Sequence, residues 1–70
     1  MSTHAERVIA EAGELSARSI ALMRFMSTAA YQELPDHHKM LLRQQAGVMA
    51  QYADILTLRL AFFRLEENAR

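Results

Sequence analysis

The sequence predicts an all-α protein: an antiparallel two-helix hairpin with a short helical connector, assembled into a helical-bundle oligomer. Three observations carry this. Apolar residues recur at steps of four and three through both halves of the chain, the signature of a helix with one face inward. A single proline, Pro35, is the main break between those halves. The 70 residues are 51% apolar and include no cysteine, so a thin core has no disulfide to support it and the surplus apolar surface calls for a second copy.

The first helix is predicted over about residues 4–26. Thr3-His4-Ala5-Glu6 reads as a capping box, with the Thr3 hydroxyl and the Glu6 carboxylate each satisfying an amide of the first turn. Behind it run Val8, Ala12, Leu15, Ser19, Leu22 and Met26, one side chain per half-heptad, with Ile9, Ile20 and Met23 beside them. Arg7–Glu11 and Glu14–Arg18 are spaced as i,i+4 pairs on the solvated side, worth a few tenths of a kcal/mol each. Ala10, Gly13, Ala17 and Ala21 make a small-residue strip opposite the apolar stripe. Glycine inside a helix costs about 1 kcal/mol relative to alanine, so Gly13 marks either close approach of another backbone or a tolerated surface glycine. Gly47 has no comparable explanation in the sequence.

Residues 27–35 are predicted as the connector, a short helical turn with Tyr31 and Leu34 inward, closed by Pro35. Asp36 is then expected to cap a second helix over about residues 36–67. That helix carries two stripes. Leu42, Ala46, Met49, Ala53, Leu56, Leu60 and Phe63 form one; Leu41, Gln45, Val48, Tyr52, Ile55, Arg59 and Phe62 form the other, about a quarter turn away. One antiparallel partner covers one stripe only, so the second is expected to meet another subunit. Leu58 and Leu65 fall outside both. Residues 1–70 read as a single helical-hairpin domain, in an even-numbered homo-oligomer because two-fold closure is the commonest.

Composition excludes several functions. Eight basic and eight acidic residues balance, without the basic excess that a polymeric nucleic acid partner requires. No apolar run reaches the ~20 residues of a membrane span, and the N-terminus lacks the order of a signal peptide, so a soluble, cytoplasmic protein is expected. His37 and His38 are adjacent, about 100° apart around a helix, and cannot chelate one ion as an i,i+4 pair does. His4 lies at the far end of a helix about 35 Å long. No nucleophile has a base at a recognisable spacing, and there is no phosphate-binding loop. No catalytic residue, metal site or cofactor is expected.

The informative polar residues are those on apolar stripes. Gln45, Tyr52 and Arg59 step by seven and stack along one face. They either fix the register between helices, as polar core positions do in coiled coils, or line an inter-subunit pocket in which Arg59 meets an anion and Tyr52 stacks on a ring.

The segments Glu6-Arg7-Val8-Ile9-Ala10-Glu11, Leu15, Leu22-x-x-Phe25, Leu34-Pro35, Leu41-Leu42-x-x-Gln45 and Met49-x-x-Tyr52-x-x-x-Leu56-x-x-Arg59 resemble small helical-hairpin proteins of tailed phages and prophages. Some small phage hairpin proteins are oligomeric sponges, including the anti-CBASS class, that sequester cyclic nucleotide messengers of bacterial immunity. This chain lacks the Gly-Tyr-Arg/Lys opening of those sponges. The resemblance implies a cyclic nucleotide ligand held between subunits in the host cytoplasm. Arg7, Glu11, Arg18, Gln45, Tyr52 and Arg59 are the candidate ligand-binding residues, with Tyr31 as a second stacking ring. The competing expectation is a non-enzymatic protein-interaction module, an inhibitor, adaptor or structural phage component docked on a host protein.

Overall fold

The structure, a computed structural model, describes residues 3–68. Helix α1 (His4–Met26) begins where the capping box predicts. The Glu6 amide donates to Thr3 Oγ1 at 3.1 Å, and the Thr3 amide donates to Glu6 Oε2 at 3.4 Å. Two of the orphan donors at the helix start are thereby satisfied. The helix ends at Ser27, whose amide returns to the Arg24 carbonyl and whose hydroxyl donates to Met23 O at 3.0 Å.

Thr28 closes one helix and opens the next. Its hydroxyl donates to Phe25 O at 2.6 Å and accepts from the Tyr31 amide at 3.3 Å, capping the single turn α2 (Ala29–Gln32). This turn fixes the bend because it buries an aromatic. Tyr31 is only 5% exposed and meets Phe25 edge-on, with centroids 6.2 Å apart. Leu34 is half-buried beside it.

Helix α3 (Asp36–Asn68) corrects one detail of the sequence reading. Asp36 lies within the first turn and is not the cap. The Pro35 carbonyl accepts from the amides of His38 and Lys39 at 3.0 and 3.2 Å, so Pro35 holds the capping position. Asp36 still favours this end through its charge against the helix dipole.

The two long helices pack antiparallel into a rod of 55 × 19 × 15 Å. Val8, Leu15 and Leu56 form the buried core, at 2%, 7% and 0% exposure, flanked by Ala12, Met49, Ala53, Leu60 and Phe63. Every member of the first stripe on each helix is buried or half-buried. The second stripe of α3 is exposed along its whole length, Leu41, Val48, Ile55 and Phe62 included. A hairpin gives each helix one neighbour, and α3 has apolar residues for two. No helix among the described residues is long and apolar enough to cross a membrane.

Candidate functional site

The polar members of that exposed stripe gather on one side of the hairpin. The Tyr52 hydroxyl on α3 donates to Glu11 Oε1 on α1, so the Glu11 flank of α1 and the Tyr52 flank of α3 meet. Steps of four and seven put Arg7, Glu11 and Arg18 on one flank of α1, and steps of seven do the same for Gln45, Tyr52 and Arg59 on α3. In an antiparallel pair, seven residues forward on one helix match seven back on the other. Arg18 therefore stands level with Gln45, and His4 level with Arg59. Successive layers are about 10 Å apart along the rod.

The electrostatics agree with this grouping. The Tyr52 phenol is held above its ordinary value of 10.0, first by its hydrogen bond to Glu11, then by partial burial and by the Glu11 charge. The Arg59 charge pulls the other way, which places the guanidinium within electrostatic reach of the ring. Tyr52 is thus a neutral donor at physiological pH, beside a carboxylate and a guanidinium.

Glu11 is half-buried, while Arg7, Arg18, Gln45, Tyr52 and Arg59 are exposed. In the hairpin taken alone the polar groups of the stripe face solvent, and no buried polar or charged residue occurs among the described residues. The reason is geometric, since α1 covers the first stripe of α3 and leaves the second to solvent. Gln45 reaches only its own helix, with Nε2 donating to Met49 Sδ at 3.9 Å. Tyr31 is corrected as a stacking ring, because it is buried against the hairpin bend. The aromatic face open to a ligand on this side is that of Tyr52, which is 37% exposed.

Other chemistry is sparse. The His37 and His38 rings lie 4.3 Å apart, closer than their backbone directions imply, and both are exposed. No group of three or more metal-binding side chains occurs among the described residues. The sequence reading missed a groove of about 310 Å³ on the opposite side of the hairpin, lined by Ser19, Leu22, Met23, Ala46, Ala50, Ala53 and Asp54. Its sequence signal is the alanine spacing at 46, 50 and 53, where short side chains leave space between the helices.

Fold and face together define a small helical-hairpin protein that offers solvent a ring, a carboxylate and several guanidinium groups along one flank. The chain belongs to the Sequestin family, whose model, described as Sequestin, matches residues 2–62. The family's name denotes sequestration, a binding role. No curated protein and no solved structure matches the chain.

Proposed function

We propose that this chain is an oligomeric binding protein that sequesters an anionic cyclic nucleotide between subunits, as a phage-type anti-defence sponge in the host cytoplasm. The observation that carries the reading is the Tyr52–Glu11 pair with the Arg59 charge beside it. A base stacks on the exposed Tyr52 ring, and Glu11 accepts from a donor on the base edge. Arg59 and Arg18 lie about 10 Å to either side of Tyr52 along the rod, spaced to hold phosphates of one ligand. Arg7 adds a third guanidinium at the Arg59 end, and Gln45 supplies an amide beside Arg18. On one chain this face is open; a second subunit laid over the Leu41, Val48, Ile55 and Phe62 stripe would enclose it and strengthen every charged contact.

A thermal-shift screen against cyclic di- and trinucleotides tests the reading. Tight binding to the folded state at saturating ligand raises the melting temperature by about 5 °C or more. A folded oligomer that none of these compounds stabilises would overturn it.

One observation favours a second reading, a protein-interaction module. Leu58, Phe62 and Leu65 are 58%, 61% and 62% exposed at the open end of the hairpin, an apolar patch beyond the polar layers. On that reading Phe62→Asp abolishes binding of a protein partner, while Arg59→Ala leaves it unchanged.

A further inference from the structure

The side of the hairpin away from Tyr52 has its own organisation. On α1 the residues Ile9, Gly13, Ser16, Ile20 and Met23 follow steps of four and three; on α3, so do Arg43, Gly47, Ala50, Asp54 and Thr57. The 310 Å³ groove, with Met23, Ala50 and Asp54 in its lining, shows that these two flanks share one side. A second groove of about 270 Å³ continues it along Ile20, Met23, Arg24 and Ser27. This side therefore carries both a ridge and a channel. Ile9, Ile20 and Met23 stand out from α1 at 55%, 47% and 65% exposure, next to the alanine-floored groove.

Both glycines lie here. A Cβ built on Gly13 or Gly47 meets nothing within 4 Å, and neither has a positive φ. Neither the hairpin's packing nor its backbone geometry requires them, yet each weakens its helix. A neighbouring helix laid closely against this side accounts for both.

The arrangement on α3 is self-complementary. The midpoint between Arg43 and Asp54 is also the midpoint between Gly47 and Ala50. A two-fold axis crossing α3 between Val48 and Met49 thus brings Arg43 of one copy to Asp54 of the other, twice, while Gly47 faces Ala50 at the closest approach. Ridge beside groove on one surface is what an isologous contact needs, since each copy offers both halves. A side 55 Å long and 19 Å wide is large enough for the ~800 Å² per partner of a stable pair.

We propose that this side of the hairpin is a homotypic interface on which a second copy packs antiparallel, locked by reciprocal Arg43–Asp54 pairs over a Gly47–Ala50 crossing. The proposal is independent of the ligand reading, because it uses none of the ligand-facing residues. It leaves the Tyr52 face on the outside of the pair, free to meet ligand and a further pair.

Sedimentation equilibrium tests it on four forms of the full chain: wild type, Asp54→Arg, Arg43→Asp and the double charge swap. Both positions that change charge, 43 and 54, are exposed, and far-UV circular dichroism verifies that each form is helical. Each single reversal removes two ion pairs and sets like charges together, so the pair dissociates with a Kd raised roughly tenfold or more. The double swap recovers the wild-type Kd. A monomeric wild type, single reversals without effect, or a double swap that fails to recover association would overturn the proposal. As a second readout, Gly47→Glu blocks the crossing and gives monomers or smaller assemblies; an unchanged mass would contradict it.

Discussion

Tyr52 and Glu11 are 41 residues apart in sequence and joined by a hydrogen bond that spans the two long helices. It is the one side-chain hydrogen bond between α1 and α3 found among the described residues. It fixes which flank of each helix shares a side, and so which polar residues are neighbours. Everything proposed for the ligand face follows from that pairing together with the antiparallel register.

The pairing has a consequence at alkaline pH. The Tyr52 phenol has a folded-state value above its ordinary one of 10.0, so the folded state holds the proton more tightly than the unfolded chain does. The stabilisation is complete below about pH 10 and is lost as pH rises through the raised value. Melting temperature against pH is expected to fall more steeply above pH 10 for wild type than for Tyr52→Phe. Parallel curves would mean that the bond does not persist in solution.

Leu56 has no exposed surface and sits at the centre of the core with Val8 and Leu15. Leu56→Ala is expected to cost about 2–5 kcal/mol, by lost burial and by the cavity it leaves. In so thin a core this unfolds most of the hairpin at 37 °C, as read by helicity against urea. Ile55→Ala, one residue away but 53% exposed, leaves a monomer's stability nearly unchanged.

The capping box at Thr3 is expected to contribute about 1 kcal/mol. Thr3→Ala removes the acceptor for the Glu6 amide and lowers the melting midpoint, whereas Thr3→Ser retains it. Equal losses in both variants would assign the effect to something other than the hydroxyl.

Gly13→Ala separates the chain's own packing from its assembly. The added methyl meets nothing within the hairpin, so helix propensity alone raises monomer stability by up to about 1 kcal/mol. A variant that is more helical and yet associates more weakly places Gly13 at a contact between copies. Gains in both would show it to be a surface glycine.

Much of the fold was legible in the sequence because local signals agreed. The Thr3–Glu6 box, the four-and-three spacing of Val8 to Met26 and the break at Pro35 each act over a few residues, and α1 and α3 begin and end within a residue of the expected positions. Asp36 was misread because aspartate is a good cap, while the backbone let the Pro35 carbonyl do that work. The candidate site was harder. Periodicity placed Gln45, Tyr52 and Arg59 on one face, but it cannot say which flank of α1 lies next to them. That depends on register, which the sum of many small contacts decides. The alanine groove is built from both helices, so the spacing at 46, 50 and 53 hints at it without showing which flank of α1 completes it. The Arg43–Asp54 spacing lies on α3 alone and gains meaning only once that side is seen to be uncovered.

The measurement closest to the central claim is isothermal titration of cyclic di- and trinucleotides into the wild-type protein and into the Arg59→Ala, Tyr52→Phe double variant. The account predicts saturable binding of one cyclic nucleotide to wild type, weakened about tenfold or more in the double variant through loss of a charged contact and of the Tyr52 donor. No binding heat with a folded oligomer, or equal affinity in the two proteins, would contradict it.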